Sequence, residues 1–105
     1  MSGRRSAEEQ AEWETARERV GRYHELELAK LVEHVRAALV ALDAGEIDVF
    51  EFDGIVHRYK KAAQKLWSFC TGGGNDIKRT ARLLAHEQSE GEVRDWWELA
   101  APRRR

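Results

Sequence analysis

Proline occurs once in the 105 residues, at Pro102, so almost the whole chain lacks an obligatory helix break. Apolar residues recur along it at steps of three and four, the period of a helix face, and not at the step of two that a half-buried strand requires. The pattern predicts an all-α fold: a long antiparallel helical hairpin plus a third, shorter helix, closed as a three-helix unit or as half of a dimeric four-helix bundle. At this length the chain is one helical domain, too short for a doubly wound nucleotide-binding enzyme or a barrel, folds that need roughly 150 to 250 residues.

The first helix is expected over residues 7–44. Ser6 and Glu9 have the spacing of a capping box, in which a hydroxyl takes the third helical amide, and Gly45 supplies the stop. Between them Trp13, Ala16, Val20, Leu28, Leu31, Val35, Ala38, Leu39 and Leu42 share a face, and the phase continues through Gly21. Asp48 and Glu51 repeat the capping logic ahead of a second helix over 49–70, whose stripe is Phe52, Val56, Tyr59, Ala63, Leu66 and Cys70. Residues 71–74 form a glycine-rich joint. Asn75 or Asp76 then caps a third helix over about 76–90 with Ile77, Ala81 and Leu84 on one face, and a tail over 92–105 carries Trp96 and Trp97.

The short 43–47 link makes the first two helices antiparallel, and matching their stripes sets Leu42 against Phe52, Val35 against Tyr59, Leu28 against Leu66 and His24 against Cys70. The first helix then overhangs the second by several turns. Trp13, Ala16, Val20 and Tyr23 line that overhang, and either the third helix or a second copy must cover them. The second cover makes these four the expected oligomer interface of a homodimer.

The formal net charge of -1 conceals a division. Residues 6–53 hold thirteen acids against five bases, while residues 57–82 hold seven Lys or Arg against Asp76 alone. Arg58, Lys60, Lys61, Lys65, Lys78, Arg79 and Arg82 therefore form a basic half that either neutralises the first helix or contacts a partner, with nucleic-acid phosphate the chemistry such a patch suits. The terminal Arg103 to Arg105 would add to it. No run of about 18 apolar residues occurs, and the N-terminus has no apolar segment of signal-peptide type, so neither a membrane span nor secretion is expected. A single cysteine, Cys70, makes no internal disulfide and no multi-cysteine zinc site, which suits the cytoplasm.

Several motifs carry chemistry only in part. Gly45 to Phe52 matches the second half of a calcium loop, but Val40, Leu42 and Ala44 would stand at its first ligand positions and offer no side-chain oxygen. No histidine has an acidic residue three positions before it, as a bundle di-metal site requires, and Asp53 with His57 reads as a solvated ion pair. No metal and no cofactor is expected. His24 and Cys70 are the weak catalytic candidates, because an imidazolium beside a thiol would stabilise a thiolate; the plainer reading is a buried inert thiol. Thr71 to Asn75 ahead of Lys78, Arg79 and Arg82 could cradle a phosphate, but it lacks phosphate-loop spacing and Asp76 sits where the anion would, so a joint is the simpler use. Trp96 and Trp97 form either a lid on the helices or an aromatic anchor for a partner.

The segment from Leu42 to Cys70, LDAGEIDVFEFDGIVHRYKKAAQKLWSFC, resembles stretches in small uncharacterised helical proteins of high-GC actinobacteria, and the Asp95-Trp96-Trp97 tail is similar to theirs. The resemblance implies a bacterial cytoplasmic protein and brings no activity or site residues with it. The expected function is a non-enzymatic helical interaction or regulatory protein, homodimeric and binding a further protein. The alternative is a nucleic-acid-associated regulator using the basic face, and a Cys70-dependent enzyme or redox protein comes third.

Overall fold

A computed structural model of the chain describes residues 6–71 and 77–102. They form four helices: α1 (Ala7–Asp43), α2 (Val49–Thr71), α3 (Ile77–Ser89) and α4 (Trp96–Leu99). The fold is all-α, with α1 and α2 packed as a hairpin and no strand among the described residues. The glycines 72–74, the Asn75 or Asp76 cap and Arg103 to Arg105 lie outside the described residues.

Local chemistry sets the helix ends. The Glu9 amide donates to Ser6 Oγ at 3.1 Å, and that hydroxyl donates in turn to the Glu9 carboxylate at 3.2 Å. From there α1 runs 37 residues, about 55 Å at 1.5 Å per residue, unbroken past Gly21. It stops where Gly45 takes φ +74°, which lets the Gly45 amide reach the Leu42 carbonyl and the Glu46 amide the Ala41 carbonyl, a Schellman closure. Asp48 and Glu51 then exchange bonds: the Glu51 amide donates to Asp48 at 2.8 Å and the Asp48 amide to Glu51 at 3.1 Å. Stop and start follow so closely that the chain must double back. Gly91, φ +72°, ends α3 by the same closure.

The core joins Ala16, Val20 and Leu31 of α1 with Ala62, Leu66 and Cys70 of α2, Ala81 and Leu84 of α3, and Trp96 and Ala100. The helix α3 runs alongside the N-terminal half of α1 and covers the overhang with Ala81, Leu84 and the partly buried Ile77. Of the two covers expected for the overhang, the third helix is the one seen within the chain. Ala16 and Val20 are buried inside the chain, Tyr23 lies beneath Trp96, and half-buried Trp13 has the Arg17 guanidinium 5.4 Å from its ring centroid. Among the described residues of the overhang, Ala16 and Val20 are thus covered by the chain itself.

The burial of α2 is also rotated from the expected stripe. Ala62 and Leu66 are its fully enclosed residues, while Val56 and Ala63 are only half-buried. The cause is α4, a turn capped by Asp95 that sequence patterning left inside the tail. Trp96 is buried, donates its indole N–H to Tyr23 Oη at 2.9 Å and sits 5.3 Å from the Phe69 ring. Trp97 stacks on His34 at 4.0 Å and 2°. The tryptophan pair is thus a lid on the Arg58, Ala62 and Phe69 flank of α2, and it draws the core toward that side. In the hairpin Tyr23 meets Phe69 edge-on at 6.0 Å, one position along each helix from the expected His24–Cys70 pairing.

Candidate functional site

Cys70 is buried, and its thiol is pushed up to about 11 by that burial, with the Glu27 carboxylate adding to the effect. A carboxylate is the wrong charge for activating sulfur: it disfavours the thiolate that nucleophilic chemistry requires. His24 is half-buried on α1, but the charged group acting on the thiol is Glu27, one turn further along. The arrangement is that of a packed thiol, and the expected Cys–His pairing is replaced by a Cys–Glu proximity that works against it.

A cleft of about 510 Å³ opens between α1, the end of α3 and the segment before α4. Four of its charged groups pair with each other. Arg94 binds Glu87 through two nitrogens, at 2.9 Å and 2.6 Å, and this guanidinium holds the Glu87 carboxyl below its usual range. Lys30 pairs with Glu27 at 2.8 Å. Among the described residues no buried side-chain nitrogen or oxygen lacks a partner, and no cluster of three metal-ligating side chains forms. Nothing described converges on a ligand there.

The seven basic candidates differ in their surroundings. Arg58 is committed to the lid: its Nε donates to the Trp97 carbonyl at 3.0 Å, it pairs with Glu98 at 3.1 Å, and its guanidinium lies 4.3 Å from the Trp97 centroid. Half-buried Lys78 flanks the groove between α1 and α3. Lys60, Lys61 and Lys65 are exposed on α2, and Arg79 and Arg82 on α3. Asp53 and His57 form an exposed pair at 3.2 Å, as their spacing suggests.

Among the described residues, an apolar surface without a cover lies on the back of the hairpin. The helices α3 and α4 occupy the side marked by Ala16, Tyr23 and His34 of α1 and by Arg58 and Phe69 of α2. On the opposite flank of α1, Leu28, Val32, Val35 and Leu39 fall within about 60° of one another at 100° per residue, in a 4-3-4 spacing. Val49, Val56, Ala63 and Trp67 share the matching flank of α2 within about 40°. Leu39 is 48% exposed, Val49 62% and Trp67 58%, and the other five are half-buried. The Tyr23–Phe69 contact sets Leu28 near the level of Ala63 and Val35 near Val56, so the two rows lie side by side on the hairpin. Sequence reasoning assigned Leu28, Val35, Leu39, Val56 and Ala63 to the hairpin seam; Val32, Val49 and Trp67 escaped it because they fall beside the stripe. No family model, curated protein or solved structure matches the chain.

Proposed function

We propose that this chain is a non-enzymatic helical interaction protein, a regulatory or scaffolding component that works as a homodimer. The observation that carries the reading is the apolar strip on the back of the hairpin, where Leu39 of α1 and Val49 and Trp67 of α2 stand about half or more in water beside half-buried neighbours. Leaving each such side chain exposed forgoes about 1.5 to 3 kcal/mol of transfer free energy, and scattered surface leucines do not line up in this way. The bonded state of the buried side-chain polar groups among the described residues, and a Cys70 thiol that burial pushes up, support binding over chemistry. A lone, buried thiol and the actinobacterial resemblance fit a bacterial cytoplasm. No helix among the described residues is long and apolar enough to cross a membrane. Sedimentation equilibrium at micromolar concentration tests the reading: a mass twice 12.1 kDa is expected, and a species of 12.1 kDa throughout the range refutes it.

A second reading, nucleic-acid association, is favoured by Lys60, Lys61 and Lys65, which stand exposed on α2 and make no ion pair with any described residue. Its mark is retention on DNA or RNA at low salt that falls steeply as salt rises and is abolished by changing the three lysines to glutamine. Absence of retention by the unaltered protein below physiological salt refutes it.

A further inference from the structure

We infer that the outward face of α2 binds single-stranded nucleic acid, with an unstacked base on the Trp67 ring and neighbouring phosphates on Lys60 and Lys61. The inference rests on the nucleic-acid reading and names the form of nucleic acid and the side chain that selects it.

The helix period places the residues. Ala62 and Leu66 mark the enclosed side of α2, and Gln64 stands opposite them at 100° per residue. Phe50, Lys60, Lys61, Trp67 and Ser68 lie within about 60° of Gln64, and all are exposed. Asp53, the acidic residue of that face, has His57 at 3.2 Å. Lys65 stands at its border.

These lysines are turned away from α1. The Tyr23–Phe69 contact sets Val32 and Leu31 at the levels of Lys60 and Lys61, and Glu27, at the level of Lys65, is paired with Lys30. None of the three lysines forms an ion pair with a described residue, so the first helix does not neutralise them one by one. They stand ready for an anion from outside the chain.

Trp67 says which anion. Its side chain is 58% exposed, and among the described residues no ring stacks on it and no guanidinium lies over it. Lys60 and Lys61 follow about 9 to 10 Å along the axis, with Gln64 and Ser68 between and beside them to bond base edges. A duplex keeps its base faces stacked inside and shows a protein edges and phosphates, which lysines alone would serve. A single strand offers a base face beside each phosphate, and that is the pair of groups α2 displays. An interfacial membrane helix would bury a continuous apolar side, whereas here His57, Gln64 and the lysines separate Trp67 from Phe50.

Titrating a labelled oligothymidine of about 16 nucleotides with the full chain, followed by fluorescence anisotropy, tests this against a duplex of the same length. The single strand should bind more tightly. Trp67→Ala should weaken it by about 5- to 100-fold without changing the salt slope, and Trp67→Phe should restore most of the affinity. Lys60→Gln combined with Lys61→Gln should instead make the slope of log affinity against log salt shallower by about 1.4, at about 0.7 per phosphate contact. Helical dichroism should be retained throughout, since the three side chains are exposed. Equal affinity for duplex and single strand, or a Trp67→Ala variant that binds as the unaltered chain does, would overturn the stacking site and leave the nucleic-acid reading standing. A change of sedimentation mass in Trp67→Ala would assign the ring to the apolar strip and overturn the site likewise. Binding to phosphatidylglycerol vesicles in place of the oligonucleotide, or to neither at low salt, would overturn both.

Discussion

Replacing Trp96 by alanine should cost about 3 to 5 kcal/mol, the range for removing a large buried aromatic, because it is the buried side chain that ties α4 to both α1 and α2. Its indole is buried, its N–H is bonded to Tyr23 Oη at 2.9 Å, and its ring lies 5.3 Å from Phe69. Removing it empties the space beneath the lid and frees α4, a helix of four residues that cannot persist without tertiary contact. A domain of this size holds about 5 to 15 kcal/mol in all, so the loss is a large fraction. At about 4 to 8 °C per kcal/mol the melting temperature should fall by more than ~12 °C. The companion change, Tyr23→Phe, keeps the ring against Phe69 and removes only the acceptor, leaving a buried indole N–H unpaired at a cost of about 1 to 3 kcal/mol. Urea titration followed by far-ultraviolet dichroism measures both, at one protein concentration because dimerisation would couple to unfolding. A Trp96→Ala cost below about 1 kcal/mol, the level of an ordinary surface change, would show that the lid does not close the core. A Tyr23→Phe cost near zero would show that water reaches the indole.

Further outcomes separate backbone, charge and thiol effects. Gly45→Ala should destabilise by about 1 to 2 kcal/mol, since at φ +74° the strain is in the backbone and nothing lies within 4 Å of the new methyl group; Gly21→Ala, with the same free space inside α1, should stabilise by about 0.5 to 1 kcal/mol, and equal signs for the two in urea titrations would refute the argument. Because Arg94 lowers the Glu87 carboxyl in the folded state, their pair contributes stability that is full above the usual carboxylate range and is lost as pH falls through the lowered value. Comparing urea midpoints at neutral and acid pH, Glu87→Gln should therefore be destabilising at neutral pH and close to neutral in effect once the carboxyl is protonated, and a pH-independent difference would count against it. With its thiol pushed up to about 11, Cys70 should react with a disulfide reagent at pH 8 on the order of 100-fold more slowly in the folded protein than in urea, by thiolate fraction alone. Comparable rates would mean that the site opens readily.

Helix identity, helix ends and the hairpin were legible in the sequence because each is decided by residues close together in the chain. The serine and aspartate caps lie three residues from the glutamates they engage, and Gly45 is one of only two described positions with positive φ beside Gly91. The α4 turn was missed although Asp95 and Glu98 have capping spacing, because four residues carry too little periodicity to declare a helix. Which of the two expected covers the overhang takes was not legible for a related reason. Trp13, Ala16, Val20 and Tyr23 form an apolar stripe by any count of periodicity, but a stripe says only that something covers it, and here the cover is α3.

The amino-acid sequence by itself determined an all-α chain, a hairpin turning at Gly45 and a third helix with Ile77, Ala81 and Leu84 facing inward, since periodicity and capping are short-range properties. Only the tertiary structure decided which side of the hairpin is inside. That choice is made by Trp96 and Trp97, which reach back across the fold to Tyr23, His34 and Arg58 and enclose Ala62 in place of Ala63. Contacts between residues this far apart in the chain leave no local signature. They leave Leu39, Val49 and Trp67 on the uncovered side, because a helix of this hydrophobic width has more apolar surface than one flank of neighbours can bury.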